Sequence, residues 1–371
     1  MYGLENAGIG RYIINLIEEL KKLVNKEQFV VLLRKKYFDQ LNLPSNWKKV
    51  LADFRHYTFE EQFKLPRIIK KENPDLVHFP HINFPILYQG THIITVHDLT
   101  MQRQGADATT LSLPIYYFKR FPFLLAARIA IKSAVAIITP SNTVKNDVSE
   151  YYNIDKNKIF VTYEGVDFGK LESYFRGDPK GLLELWDLQT AKYFLYVGNA
   201  YSHKNLEVVV KAIKKLNEEK DLNIKFAVAG SKDVFKERLQ NLIGQENAQK
   251  YVKILGYVSD EELSVLYKNS AAFVYSSLSE GFGLQGLEAI ASGSLVLASD
   301  IPVFKEIYED NVLYFNPKEV NSLVEAMKKV MKISREEKTR ILTRTKDFIK
   351  KYSWQKMAKE TLEVYQKILK G

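Results

Sequence analysis

Two glutamates and a pair of glycines in the stretch Ser276–Gly293, SSLSEGFGLQGLEAIASG, carry the plainest chemistry in the chain. The run Ala271–Tyr275 just ahead of it has the composition of a strand. In the loop Ser279-Glu280-Gly281-Phe282-Gly283 the glycines permit backbone conformations, and a ligand approach, that a Cβ would block. Leu284, Leu287, Ile290 and Ala291 recur at helical spacing, which predicts a helix from about Leu284. Strand, glycine loop and helix start aim backbone amides and the positive end of a helix dipole at one point, an anion site. Glu280 and Glu288, with seven residues between them, flank that point, and a carboxylate suits a diol because it accepts two hydrogen bonds. Phosphate beside polyol suggests a nucleotide-sugar. On the residues alone a plainer alternative stays open: two glutamates near a helix start also suit its dipole.

Other positions can serve the same ligand. Tyr196-Val197-Gly198-Asn199-Ala200-Tyr201-Ser202-His203-Lys204-Asn205 ends a strand-like run and begins a helix. Lys204 there can set an ammonium on a diphosphate, although a solvated lysine is the ordinary alternative. Val77-His78-Phe79-Pro80-His81 and Val96-His97-Asp98-Leu99 end two further strand-like runs. His97-Asp98 lacks a Gly-x-Ser-x-Gly elbow, so a hydrolytic triad is set aside. No carboxylate cluster lies near His78 and His81, and no metal site is expected. Gly8-Ile9-Gly10-Arg11-Tyr12 leads into a helical stripe of Ile13, Leu16, Ile17, Leu20 and Leu23. A Gly-x-Gly turn entering a helix normally follows a strand, and none precedes it here. The first strand therefore looks missing, through a late gene start or a truncation; the alternative is a sheet with exposed strand edges.

Strand-like runs alternate with helical patterns along the chain, which argues for parallel sheets covered by helices, with ligands at the carboxyl ends of the strands. In the first half the runs are 28–33, 75–79, 92–97, 134–139 and 158–163; in the second they are 193–197, 224–229, 251–255, 271–275, 294–298 and 312–315. Between the halves, 164–190 loses periodicity and gathers Gly165, Gly169, Gly177 and Pro179, the mark of a linker. The reading is an α/β protein of two Rossmann-like domains, 1–175 and 176–350, followed by a C-terminal helix, 351–371. Ser141 and Ser353 stand where helix N-caps are expected. Phe118–Ser133, with Tyr116, Tyr117, Lys119, Arg120 and Arg128, mixes aromatic with basic residues and can touch a membrane surface; just before a buried strand, core packing is the expected role.

Its 371 residues suffice for two cores, and 46% hydrophobic with 26% charged residues suits a globular protein. The absence of cysteine excludes disulfides and thiolate metal sites. No signal peptide or membrane span is evident, which favours the cytoplasm. A net charge of +10 suits anionic substrates or an anionic membrane face. No aromatic–basic platform points to nucleic acid.

The stretch from Glu280 to Glu288 resembles the E-x7-E signature of the retaining glycosyltransferases of family 4, whose fold is called GT-B. The match continues through Ala298-Ser299-Asp300-Ile301-Pro302 and Asn316-Pro317, and the resemblance spans nearly the whole chain from Gly8. It implies two Rossmann-like domains facing across a cleft, with a last helix crossing back to the first domain and Trp354 as its packing anchor. In this family a strand at the centre of the N-terminal sheet precedes the segment matching Gly8-Ile9-Gly10-Arg11-Tyr12. The resemblance also implies roles. Lys204, with amides around Phe282, Gly283 and Leu284, would hold the diphosphate. Glu280 would hold hydroxyls of the donor sugar near the reacting carbon, and Glu288 the ribose diol. His97 would contact the transferred sugar, Gly256-Tyr257-Val258 the nucleobase, and Gly8 and Gly10 would lie on the donor. His203 and Asn199 stand where arginine is usual or frequent, which lowers fixed positive charge at the phosphates. No Asp-x-Asp motif is present, so lysine and helix dipole would replace a divalent ion, and no cofactor is expected beyond the nucleotide-sugar.

Gly-Ile-Gly-Arg-Tyr, His-Phe-Pro-His and Val-His-Asp-Leu together look most like the mannosyltransferases of polysaccharide and O-antigen assembly. The resemblance thus implies transfer of a hexose, best read as mannose from GDP-mannose, to a glycan or lipid-linked acceptor, with retention. A UDP-sugar donor, a GT-B 2-epimerase and an inactive nucleotide-sugar binding protein are the alternatives. Peripheral contact with the inner face of a membrane fits the acceptor.

Overall fold

Short β-branched and aromatic runs become parallel strands, each followed by a helix or loop that returns over the sheet. A computed structural model describes residues 3, 7–24, 26–103, 113–167, 177–189, 192–220, 222–230 and 234–371. In chain order the elements begin α1 (Ala7–Leu23), β1 (Phe29–Leu33), α2 (Lys35–Phe38), β2 (Trp47–Leu51), α3 (Phe59–Glu72), β3 (Val77–Phe79) and β4 (His92–Thr95). They continue with α4 (Thr100–Arg103), α5 (Leu113–Ser133), β5 (Ala136–Thr139), α6 (Asn142–Tyr152) and β6 (Ile159–Val161). Then come α7 (Pro179–Leu185), β7 (Lys192–Val197), α8 (Leu206–Lys220), β8 (Ile224–Ala229), α9 (Val234–Gln245), β9 (Val252–Gly256) and α10 (Asp260–Asn269). The last are β10 (Ala272–Tyr275), α11 (Leu284–Ala291), β11 (Val296–Ser299), α12 (Pro302–Tyr308), β12 (Leu313–Phe315), α13 (Val320–Lys332), α14 (Arg335–Ile349) and α15 (Trp354–Leu369).

Two units result: Met1–Gly165 with Tyr352–Gly371, and Val166–Lys351. In the second unit the sheet order is β12-β11-β10-β7-β8-β9, every pair parallel. The strands at its centre, β7 and β10, are buried on both faces, which is why they read as unbroken apolar runs. In the first unit β3-β4-β5-β6 form a parallel sheet, and β1-β2 a separate parallel pair. Its core joins Ile94, Val96, Ile137 and Ile159 of the sheet region to Ala127, Ala130 and Ile131 of α5 and to Val144 and Val148 of α6. Ser141 and Ser353 accept from Val144 N and Lys356 N, so both expected N-caps are present.

The structure corrects several expectations. The break between units lies at Gly165/Val166 rather than 175, and the return at Lys351/Tyr352 rather than 350. Packing explains the earlier break: a Cβ on Gly165 would meet the Trp354 backbone nitrogen at 2.1 Å, so Gly165 is wedged against the start of α15 and belongs with it. Gly8 and Gly10 lie inside α1 rather than in a turn ahead of it. The strand expected to be missing concerns the chain before α1, where residues 1, 2 and 4–6 lie outside the described ones. Strand β2, WKKVL, escaped the sequence reading because Lys48 and Lys49 interrupt its apolar pattern. Helix α5 packs its second half into the core as expected, but Phe118 and Phe121 in its first half are 82% and 71% exposed.

Helix α15 lies on α1 within the first unit. Trp354, Met357, Ala358 and Val364 are buried there. Trp354→Ala should therefore lower the stability of the first unit by about 3–5 kcal/mol, the usual cost of deleting a buried aromatic. Urea unfolding followed through the first unit's tyrosines would read it.

Candidate active site

In the second unit the strand order reverses between β7 and β10: from β7 the chain proceeds outward to β8 and β9, then returns to add β10 on the other side. The crevice at the carboxyl ends of such a pair is where open α/β sheets bind ligands. Lys204 leaves β7 through a short 3₁₀ turn, Ser202–Lys204, and Glu280 lies in the loop leaving β10. The turn and the loop are joined by hydrogen bonds. Leu278 N donates to His203 O at 2.8 Å, and Ser276 Oγ donates to Lys204 O at 2.7 Å. Asn205, in the left-handed region at φ 54°, anchors the turn through Nδ2 to Pro317 O at 2.8 Å.

The two ends meet in an ion pair. Lys204 Nζ lies 2.6 Å from Glu280 Oε1, and Ser277 Oγ donates to the same oxygen at 2.6 Å. Both side chains are largely shielded, at 14% and 13% exposure. Beneath them lie Tyr196 and Tyr275, whose phenols are pushed well above their usual range, first by burial and next by the Glu280 charge. Tyr275 Oη donates to Gln285 Oε1 at 2.6 Å, tying β10 to the first turn of α11.

That first turn is shaped from behind. Gly283 caps α11 at φ 107°, and a Cβ on it would meet Tyr308 Oη at 2.5 Å. Tyr308 Oη also donates to Gly283 O. Only glycine tolerates both the left-handed angle and the close tyrosine. Phe282, Leu284 and Glu288 are buried along the same loop and helix. On the other side of β7, Gly198 N donates to Ala229 O and Gly230 N to Gly256 O, both at 2.9 Å, which aligns the ends of β7, β8 and β9. Asn199 and Val258 are half-buried near those ends, and Tyr257 is exposed. His203 stacks on Tyr201 with centroids 5.7 Å apart.

Gly8, Gly10 and His97 belong to the first unit. His97 Nε2 donates to Pro80 O at 3.0 Å, and Nδ1 faces the Glu164 carboxylate at 3.4 Å. Its ring meets Tyr12 of α1 edge-on at 4.8 Å and stacks over His81 at 6.2 Å. His78 bonds to Tyr365 Oη of α15 through Nδ1 at 2.5 Å and to Thr95 Oγ1 through Nε2 at 2.7 Å. Burial, with the neighbouring His97 second, drives both His78 and His81 down to about 3.

Glu164 and Glu61 are residues that sequence reasoning missed. Glu164 sits in a stretch without periodicity, and nothing in the chain marks it as the partner of a histidine 67 positions earlier. Buried Glu61 accepts from Tyr57 N and Asn83 Nδ2, each at 2.7 Å, and lies 3.2 Å from His56 Nδ1, so it holds the loop that carries His81. The one available signal was Thr58-x-x-Glu61, the spacing of a capping box.

Two measurements follow from these groups. Lys204→Met leaves the Glu280 carboxylate shielded without its cation and should destabilise the second unit by about 1–3 kcal/mol. Adding Glu280→Gln should recover part of that loss, a coupling read by a double-mutant cycle in urea. For the histidines, the folded rings stay neutral while unfolded ones protonate near 6.5. Stability is then complete above pH 6.5 and falls as pH drops toward 3, by up to about 1.4 kcal/mol per pH unit for each ring. The urea midpoint of the first unit should drop between pH 7 and 5, and His78→Gln should flatten that slope.

Residues 6–170 match the family model for "Glycosyltransferase Family 4", and residues 187–347 that for "Glycosyl transferases group 1". The O-antigen chain mannosyltransferase RfbU of Salmonella typhimurium is 28% identical over 370 residues, covering 96% of this chain and 94% of that protein. A glycosyltransferase from Rickettsia africae ESF-5 superposes with a TM-score of 0.72 at 20% identity, over 98% of this chain and 96% of that one. Anabaena HepE in complex with UDP and glucose superposes with a TM-score of 0.75 at 14% identity, over 99% and 98%. The two family models together take in most of the sequence, and the chain belongs to the family 4 glycosyltransferases of GT-B fold.

Proposed function

We propose that this glycosyltransferase moves mannose from GDP-mannose, with retention at the anomeric carbon, to a glycan or lipid-linked acceptor at the cytoplasmic face of a membrane. The observation that carries the reading is the Lys204–Glu280 pair at the switch point between β7 and β10, beside the glycine-capped start of α11. The choice of mannose is supported by the full-length similarity to an O-antigen chain mannosyltransferase.

The pair suggests how donor binding proceeds. A diphosphate placed at the α11 N-terminus competes with Glu280 for the Lys204 ammonium, and the doubly charged ligand is the stronger partner. Glu280, released from its cation, then turns its lone pairs to the sugar hydroxyls, while Ser277 Oγ still holds one oxygen. Lys204 and the backbone amides around Gly283 and Leu284 stabilise charge on the departing diphosphate. Glu288 is assigned to the ribose diol, and His97 to the transferred sugar. In this reading no metal ion takes part; lysine and helix dipole supply the positive charge.

The test is a thermal scan with GDP, UDP, ADP and dTDP and their sugar conjugates, followed by turnover of the stabilising donor with lipid-linked glycan. Ligand at a hundredfold its dissociation constant adds about 2.7 kcal/mol. GDP and GDP-mannose alone should raise the midpoint, turnover should survive EDTA, and Glu280→Gln should cut kcat at least a hundredfold. A shift confined to UDP and its sugars would overturn the donor assignment. Loss of turnover in EDTA would overturn the metal-free reading.

A further inference from the structure

One face of α5 joins large exposed apolar side chains to exposed basic ones. Ile115, Phe118, Phe121 and Leu125 follow one another at helical spacing on one face, all exposed, and the same stripe continues into exposed Arg128 and Lys132. No acidic residue occurs anywhere in Leu113–Ser133. Core packing does not account for this face, because the buried residues Ala127, Ala130 and Ile131 lie on the opposite one.

Two neighbouring segments add to the apolar surface. At the start of α3, Phe59 is 86% exposed and Phe63 53%. Gln62 between them bonds to Ile86 N and Phe84 O, which brings exposed Ile86 and Leu87 alongside. Tyr57, just before α3, contacts Phe123 of α5 at 6.2 Å between ring centroids, so the start of α3 adjoins α5. Exposed Arg55 and Arg67 flank the α3 segment, and among the described residues no ion pair joins them, Arg128 or Lys132.

Charge decides what such a face can meet. The first unit carries 26 lysines and arginines against 18 aspartates and glutamates, a formal +8, whereas the second carries 28 against 26, only +2. A second copy docked through this face would oppose like charges. An anionic bilayer takes both components at once: aromatic and aliphatic tips enter the headgroup boundary, and lysine and arginine stay with the lipid phosphates. We propose that the face formed by the exposed α5 stripe from Ile115 to Lys132, the start of α3 and the Ile86-Leu87 loop docks the first unit on an anionic phospholipid bilayer. No helix among the described residues is long and apolar enough to cross a membrane, so the contact is peripheral. Tyr57 also reaches His81 Nδ1 at 3.4 Å, which sets the docking face beside the strand-end histidines. Taken with the proposed lipid-linked acceptor, and resting on that reading for this consequence alone, the face would present the histidine end of the unit toward the lipid.

Co-sedimentation with vesicles tests the surface without any donor. One set is phosphatidylcholine alone; the other carries about one-third phosphatidylglycerol, at low salt and again at about 0.5 M salt, which shortens the screening length to a few ångströms. Partitioning onto the anionic vesicles should exceed that onto neutral ones at least tenfold and fall at high salt. Each basic side chain near such a surface is worth about fivefold. Arg128→Glu/Lys132→Glu should then lose well over tenfold, and Phe118→Ser/Phe121→Ser at least tenfold. A urea midpoint of the first unit retained from the parent protein would show that each variant is folded. Equal binding to both vesicle types, or unchanged binding of the serine variant, would overturn the proposal. So would a parent dimer that the serine variant converts to monomer, since a second copy would then own the face. Vesicle binding is scored separately from the donor assay, so failure of the mannose reading leaves this result interpretable.

Discussion

A lysine and a glutamate 76 residues apart can share a shielded site only where two strands end side by side. Parallel strands meet that need, because right-handed crossovers bring every carboxyl end to the same edge of the sheet. In the second unit the central pair is β7 with β10, and Lys204 and Glu280 hang from their ends. Taking two charges out of water is costly, and the cost is offset only when geometry and added hydrogen bonds are good. Ser277 on Glu280, Ser276 on the Lys204 backbone and Leu278 on His203 provide those bonds. The pair is a registered contact between two crossovers, and the α11 turn, Tyr308 and the glycine cap are arranged around it.

The first unit solves a related problem with histidines. His78, His81 and His97 stand at adjoining strand ends, and each is held by a partner from a different part of the chain: Tyr365 of α15, Asn83 of the following loop, and Glu164 at the unit's edge. Burial keeps the first two rings neutral, so they act as fixed hydrogen-bonding groups across the physiological range. Return of α15 to this unit is thus more than coverage of α1, since its tyrosine orients a strand-end ring.

Helix α5 shows how one element can answer two solvents. Ala127, Ala130 and Ile131 let its second half press into the core, whereas Phe118 and Phe121 in its first half, and Arg128 and Lys132 further along the opposite face, remain outside. Hydrophobic residues at the surface are ordinary when single. Several large ones from three neighbouring segments, on the more basic of the two units, are a patch with chemical direction.

Much of this was legible in the sequence because it is local. All eleven expected strand runs start and end within two residues of an observed strand because buried parallel strands read as apolar blocks, and the E-x7-E stretch and the caps at Ser141 and Ser353 depend on near neighbours. Strand β2 was hidden by its lysines, and the placement of Gly8 and Gly10 inside α1 by the expectation of a turn. Tertiary structure alone decided which charges meet. The sequence placed Lys204 on phosphate and Glu280 on sugar as separate groups; the fold brings them within 2.6 Å, because sheet order rather than chain order sets which loops touch. The same holds for Glu164 beside His97 and Gly165 against Trp354, pairs without a periodicity or a motif, created where distant segments end on one sheet edge.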